Sequence, residues 1–291
     1  MACSALIQAL RSAYAYWSSS DVHQTLCEWY ENPREIHSVK MNIDILICTL
    51  DEGIQKVPYV LMPEQYGVRY VVSMQWTEES KLGLVPECLK TRDDVTMTYL
   101  EGRGLSRNRN NAISHAQGDV LVIADDDNRY TPQFVETIRL AYSSHPDVDI
   151  ITFQGLDYDG HPIHEYPAMY VCSCEMTFRK HVTTQFDVRF GLGSRMFCAG
   201  EEQVWMKDAE CAGWKAVYVP KPIVMTSADT TGIHFLGNAQ LQRSKGATFR
   251  YVYGTADAVW RSIKEAGWYL VHKKANPFPI LLNMIKGIAS L

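Results

Sequence analysis

The chain has 291 residues, of which 28 are basic and 33 acidic, so its formal net charge is −5. This balance argues against bulk nucleic-acid binding, which usually requires a strongly basic face. Apolar residues make up 46% of the chain, an ordinary share for a soluble globular protein with a sizeable core.

The cysteines and the N-terminus bear on location. The eight cysteines are scattered without the paired spacing of a zinc ribbon, and a chain of this length does not need disulfides. We therefore expect reduced thiols and a cytoplasmic protein. The N-terminus lacks the basic start and apolar run of a secretion signal. No apolar stretch reaches the ~20 residues of a spanning helix, so we expect a chain that does not cross a membrane but can lie on one.

Residues 1–40 are expected to form a peripheral helical extension, because Ala5, Leu6 and Leu10 recur at helical spacing. From there, apolar runs alternate with helical patterns. We expect helices at residues 106–118, from Thr131-Pro132 onward and at 201–212, and strands at 43–49, 70–73, 95–100, 120–124, 148–153 and 217–219. This order predicts an α/β fold with a doubly wound, mostly parallel sheet and helices on both faces. Antiparallel strands and loops are expected at residues 155–197.

Two polar segments follow predicted strands, and ligands of doubly wound sheets bind beyond the carboxyl ends of the strands. Thr49 and Asp51 close the first strand, and Asp125, Asp126 and Asp127 close a later one. Three adjacent carboxylates repel one another. Their oxygens suit Mg²⁺ or Mn²⁺, which commonly bind one or two carboxylates together with phosphate oxygens. The alternative is a solvated acidic loop or a helix cap.

The sequence around this Asp run resembles family 2 glycosyltransferases. The matching motifs follow in order: GLSRNRN at 104–110, GDVLVIADDD at 118–127, FGLG at 190–193, GEE at 200–202, YVP at 218–220, TTG at 230–232, GATF at 246–249 and Tyr253-Gly254. The resemblance covers roughly residues 42–254. It implies a GT-A domain that transfers sugar from a nucleoside-diphosphate sugar.

The resemblance also implies roles for individual acids. Asp125 and Asp126 would contact the donor, with Asp125 at the ribose or sugar hydroxyls, and Asp127 would ligate a metal that bridges the diphosphate. Glu202, at the position of the family's catalytic base, would remove a proton from the acceptor hydroxyl. Glu201 competes for that role, because helical geometry does not separate the two. Either carboxylate could instead stabilise the helix dipole.

Other polar residues would complete the donor site. Thr49 and Asp51 would contact the nucleotide base or ribose. Arg107 and Arg109 would contact the diphosphate or brace the Asp loop, because a guanidinium matches phosphate geometry. A loop-capping Asp51 and solvent-facing arginines are the alternatives.

Two positions depart from the family pattern. Gln75 stands where relatives often carry an acidic pair that contacts the nucleotide base. A glutamine can hydrogen-bond to an edge of that base but supplies no charge. Thr226 stands where relatives often have a histidine that completes the metal site, and His234 is the candidate substitute.

The C-terminal residues 256–291 are predicted to be a helical tail that follows the GT-A domain at 41–255. Within the tail, residues 277–291 place apolar side chains at helical spacing, with lysines nearby. Such a helix could lie on the anionic inner face of a membrane. It could equally pack against the domain or a partner subunit.

The sequence thus predicts an inverting, metal-dependent glycosyltransferase that uses a nucleoside-diphosphate sugar, with UDP-sugars favoured, and Mn²⁺ or Mg²⁺. The acceptor would be a glycan or a lipid-linked molecule, as in surface polysaccharide synthesis. The alternatives are a nucleotidyltransferase and a nucleotide-sugar-binding protein that has lost catalysis.

Overall fold

The computed structural model describes residues 40–163, 171–227 and 234–291. The predicted helical extension therefore lies outside the described residues, except for Lys40. Residues Met41–Leu291 form one compact unit, and the predicted boundary at residue 255 falls where two helices meet.

The described residues contain a sheet of eight strands and seven α-helices. The strands are β1 Ile43–Leu50, β2 Val68–Trp76, β3 Val95–Glu101, β4 Val120–Asp125, β5 Arg129–Tyr130, β6 Ile150–Asp157, β7 Met176–Arg179 and β8 Ala216–Thr226. The helices are α1 Glu87–Thr91, α2 Leu105–His115, α3 Phe134–Ser144, α4 Glu201–Cys211, α5 Ala239–Tyr253, α6 Thr255–Lys273 and α7 Pro277–Ser290.

The sheet has the order β3-β2-β1-β4-β7-β6-β8-β5. Its first four strands are parallel, and β7 lies antiparallel between β4 and β6. The central strands β1 and β4 are buried on both faces, which explains their nearly continuous apolar sequences. Cys48 of β1 lies opposite Ser73 on one side and Asp125 on the other. The carboxyl ends of three strands therefore meet at one edge of the sheet.

The α/β prediction is confirmed, and the antiparallel portion includes β7. The predicted start of the third helix is wrong. Thr131 and Pro132 precede α3, which begins at Phe134. The backbone N–H of Thr131 donates to the carbonyl of Ile223, and β5 pairs with β8 just before it. This strand pairing keeps the chain extended through residue 131, so the helix starts one turn later.

Helices α5, α6 and α7 pack together beside the sheet, and α7 is the predicted tail helix. Its inward side chains Ile280, Met284 and Ile288 are buried. Gly246 of α5 and Gly287 of α7 bring the two backbones into contact, because a Cβ at either glycine would overlap a carbonyl oxygen of the other helix. The inner face of the tail is therefore core. No helix among the described residues is long and apolar enough to span a membrane.

Candidate active site

The acidic loop follows β4, at the edge where the parallel strands end. The Thr49 hydroxyl donates to Oδ2 of Asp126 at 2.6 Å, and Lys56 Nζ lies 4.0 Å from Oδ1 of the same side chain. Tyr158 donates its hydroxyl to the backbone carbonyl of Asp127 at 2.5 Å. The loop is thus fixed from β1 and from the end of β6.

Arg109 lies at the centre of a second group of carboxylates. Its guanidinium is buried and contacts Glu201 at 3.2 Å, Glu202 at 3.3 Å and Asp125 at 3.5 Å. The same group lies over the ring of Phe186, with 5.3 Å between the guanidinium carbon and the ring centroid. Arg109 therefore joins the acidic loop to the N-terminus of α4, and the bracing role is the one that its contacts support.

The two glutamates are placed by the start of α4. Gly200, which precedes the helix, has a φ of +97°, a left-handed conformation that glycine adopts without strain. A Cβ at this position would also collide with the Thr248 hydroxyl of α5. The side chain of Glu201 is 6% exposed and that of Glu202 is 15% exposed, and both line the main cavity. Glu202 is the more accessible of the two to a substrate.

Burial and mutual repulsion raise the pKa of several of these acids. For Asp126 and Asp127, burial is the larger cause and neighbouring aspartates add to it. Burial, and then the charge of Glu202, raises the pKa of Glu201 to about 8, although Arg109 acts in the opposite direction. Burial and neighbouring carboxylates thus favour the protonated forms of these acids in the free protein.

One side chain that the sequence analysis did not single out fixes the strand ends. The amide nitrogen of Asn108, on α2, donates to the backbone carbonyls of Thr49 and Ser73 at 3.0 Å each. Its amide oxygen accepts from the Ser73 hydroxyl at 2.6 Å. In the sequence, Asn108 is marked only by its place in the GLSRNRN motif, which does not indicate this role.

The remaining predicted donor-site residues differ in their surroundings. Asp51 accepts from the backbone N–H and the hydroxyl of Thr77, both at 2.8 Å, so its carboxylate caps a loop. Gln75 is buried and lines the cavity, and its amide nitrogen has no hydrogen-bond partner among the described residues. Arg107 is exposed on α2. Of these three, Gln75 is the side chain best placed to meet a ligand.

The predicted third metal ligand is less well defined. His234 is exposed. Its neighbour Phe235 lines the cavity, and so does Thr226, the residue that stands where relatives often have a histidine. The motif at 230–232 lies outside the described residues. Within the described chain, three metal-binding side chains come together only at Asp157, Asp159 and His161, in a turn after β6. His234 as a ligand stays a prediction.

The cavity that joins these parts has a volume of about 690 Å³. Its polar lining includes the acidic loop, Arg109 and both glutamates. Its aromatic lining comes from α5, α6 and the residues before α5 and comprises Phe235, Phe249, Tyr253 and Tyr269. The cavity therefore offers contacts both to a charged group and to an apolar or sugar group.

Comparison with known proteins gives a family match over part of the chain and a fold. Residues 82–200 match the model of the family described as glycosyl transferase family 2. No curated protein matches the sequence. The match includes α2 and the acidic loop, and it ends at Gly200, just before the two glutamates.

Three solved structures illustrate the fold. The S. aureus TarS fragment 1–349 is 12% identical with a TM-score of 0.53, and the likeness covers 86% of this chain and 92% of that one. The same fragment in complex with UDP-GlcNAc is 12% identical with a TM-score of 0.50, covering 86% and 91%. The mannosyltransferase PcManGT from Pyrobaculum calidifontis, in complex with GDP-Man and Mn²⁺, is 14% identical with a TM-score of 0.50, covering 98% and 86%. The family match thus extends over residues 82–200, and the fold of the chain is of the GT-A type that these structures share.

Proposed function

We propose that the chain transfers a sugar from a nucleoside-diphosphate sugar, with a UDP-sugar favoured, to a glycan or lipid-linked acceptor, with inversion at the anomeric carbon. The observation that carries this proposal is the single cavity that contains the acidic loop, Arg109 and Glu202. A diphosphate needs positive charge, and a hydroxyl acceptor needs a base; these groups supply both within one cavity once a cation is bound.

The residues present fit a divalent cation. The carboxylates of Asp126 and Asp127 have raised pKa values, chiefly through burial. Bound Mn²⁺ or Mg²⁺ would relieve their repulsion, with Asp127 as the proposed protein ligand and diphosphate oxygens as further ligands. When bound, the metal would neutralise charge on the departing nucleoside diphosphate. The PcManGT structure is a complex with GDP-Man and Mn²⁺, which supports a divalent cation as the cofactor.

Glu202 is the proposed base. It removes the proton from the acceptor hydroxyl while that oxygen bonds to the anomeric carbon, and the bond from this carbon to the diphosphate oxygen breaks. Arg109 holds Glu202 in place and also contacts Asp125, so it sets the position of the base relative to the donor loop. A single displacement of this kind inverts the configuration.

Further residues have proposed roles in donor binding. The unpartnered amide of Gln75 would donate to the nucleotide base, while Asp125 and Asp126 would accept from ribose or sugar hydroxyls. Thr49 would act through Asp126, to which it donates. Arg107 is exposed and would reach a diphosphate only at the mouth of the cavity.

The chain's setting is proposed from the same evidence. The six described cysteines are all free thiols, which supports a cytoplasmic location, and a role in surface polysaccharide synthesis would place the chain at the inner face of the membrane. The family match at residues 82–200 favours a glycosyltransferase over a nucleotidyltransferase. A binding protein without catalysis would bind the donor but never hydrolyse it.

The test is calorimetric titration of UDP in Mn²⁺ and in a chelator. UDP should bind much more tightly with Mn²⁺, and Asp127→Asn should remove that difference. Asp159→Asn, in the exposed turn after β6, is the matched control and should keep it. Equal affinity with and without metal would remove the cation from the mechanism. Slow hydrolysis of a UDP-sugar without acceptor would separate an enzyme from a binding protein.

A further inference from the structure

The outer surface of α6 and α7 is unusually apolar. Of the large apolar side chains exposed in the described part of the chain, seven lie on these two helices: Trp260, Ile263, Trp268, Leu270, Val271, Phe278 and Leu282. We call this set the α6–α7 face. Clusters of exposed apolar side chains of this kind mark interaction sites.

The sequence of α6 is arranged to present this face outward. Its buried residues are the small Ala258, Ser262 and Ala266, spaced four apart, so the helix packs closely on its neighbours. The large side chains Trp260 and Val271 are 60% and 72% exposed. A helix that only needed solubility would carry polar residues at these positions. Small side chains on the inner side and large apolar side chains on the outer side indicate that the outer side of α6 contacts something other than water.

The charge of this region identifies that environment. Residues 255–291 contain five basic and two acidic side chains, a net charge of +3 in a chain whose total is −5. Lys264, Lys273 and Lys274 are exposed beside the α6–α7 face. Of the two acids, Glu265 is bonded to Lys245 of α5, and Asp257 lies at the start of α6. The exposed lysines therefore dominate the local field.

We propose that the α6–α7 face binds the surface of an anionic lipid bilayer. Helices that lie in the headgroup region combine apolar and tryptophan side chains with flanking lysines, and each lysine is attracted by anionic headgroups. The buried residues of α7 assign its inner face to the core, so the membrane contact falls on the outer side of α6 and the start of α7.

The position of the face suits the acceptor. Tyr269 of α6 belongs to the aromatic lining of the cavity and stacks on Phe235 with 4.9 Å between ring centroids. Its neighbours Trp268 and Leu270 are exposed on the same helix. A lipid-linked acceptor could thus leave its tail in the bilayer while its polar head enters the cavity. This last step rests on the proposed function, whereas the membrane contact does not.

The experiment is sedimentation of the full chain with phosphatidylcholine vesicles and with vesicles that also contain phosphatidylglycerol. Wild type should bind the anionic vesicles, and added salt should weaken the binding. The double variant W260S/V271S should bind about tenfold less or weaker still, because it loses apolar area. K264Q/K273Q should lose about fivefold in affinity per lysine. The matched control Y59S/Y66S changes two side chains that are 86% and 79% exposed elsewhere and should bind as wild type.

UDP binding in Mn²⁺ without vesicles is measured in parallel and should be the same in all these proteins. Loss of UDP binding from wild type would refute the proposed function and leave the membrane proposal standing. Failure of wild type to bind anionic vesicles, or unchanged binding by W260S/V271S, would overturn the membrane proposal. So would light scattering that shows a dimer disrupted by W260S/V271S, or vesicle binding that appears only after residues 1–39 are removed, since either result gives the face another occupant.

Discussion

Two groups of acidic side chains lie in the same cavity, and they differ in the cations that lie close to them. Asp125, Glu201 and Glu202 surround the buried guanidinium of Arg109. Among the described residues, the cation that acts on both Asp126 and Asp127 is Lys56, whose side chain is 66% exposed and lies 4.0 Å from Asp126. The first group therefore has a fixed internal counter-charge, and the second group does not.

This difference suggests that the Arg109 group stabilises the fold, whereas the acidic loop serves to bind a ligand. A buried charge that is held by one partner is costly to leave unpaired, so the Arg109 group should be sensitive to mutation in the free protein. An acidic loop with a weak counter-charge should tolerate mutation in the free protein and respond when a cation arrives. Each prediction below changes one side of this contrast.

Removal of the internal cation should have the largest effect. Arg109→Met leaves Asp125 and Glu202 without their buried counter-charge, and the loss of one partner from a buried ion pair costs about 3–5 kcal/mol. The free energy of unfolding, measured by urea denaturation, should fall by that amount. Arg107→Met, on the exposed side of the same helix, should leave it nearly unchanged. Similar stability in the two variants would show that Arg109 does not hold the pocket together.

Within the Arg109 group, the accessible glutamate should dominate catalysis. Glu202→Gln keeps the size of the side chain but cannot accept a proton, so kcat for transfer to an acceptor should fall by about 10²–10⁴-fold. Affinity for the donor should barely change. Glu201→Gln should cost much less. If Glu201→Gln is the crippled variant, the base is assigned one residue too late; if both variants stay active, the base lies elsewhere.

Glu201, the buried glutamate, should instead make the free energy of unfolding depend on pH. The pKa of Glu201 is raised from 4.5 to about 8, so the folded state binds its proton more tightly than the unfolded state. Its stabilising contribution is complete below about pH 4.5 and is lost as the pH rises through about 8. The free energy of unfolding of wild type should therefore decline across this range relative to Glu201→Gln. Parallel pH profiles would mean that Glu201 is ionised throughout.

The external cation should have the smallest effect. Lys56→Met removes an exposed partner of Asp126, and exposed ion pairs contribute about 0.2–1 kcal/mol. Unfolding in urea should shift by no more than that. A loss as large as that of Arg109→Met would abolish the contrast between the two groups.

Local patterns predicted much of the fold. The strand at residues 120–124 was visible because five consecutive apolar residues suit a strand buried on both faces, and it appears as β4. The start of α3 was not visible in the local sequence, because Thr131 is held extended by Ile223, a residue 92 positions away. The insertion of β7 between β4 and β6 depends on similar long-range pairing, which no local periodicity records.

From the sequence, the residues that share the candidate site could be predicted more readily than the contacts between them. The resemblance brought Asp125, Arg109 and Glu202 to one region, and the structure joins all three. The sequence did not indicate that Asn108 would tie two strand ends together, since an asparagine in a polar helix is ordinarily solvated. It also left Asp51 between a donor contact and a loop cap, and its bonds to Thr77 support the cap.

The unpartnered amide of Gln75 has a consequence for the evolution of donor choice. Its side chain lies near the end of β2, and the ion pairs that join Arg109 to Asp125, Glu201 and Glu202 do not involve it. With the roles proposed above, a substitution of Gln75 would alter which nucleotide base is accepted without moving the proposed catalytic base, Glu202. Donor choice and proton transfer would then depend on separate side chains, so that a descendant enzyme would change its sugar nucleotide in a single step and keep its reaction.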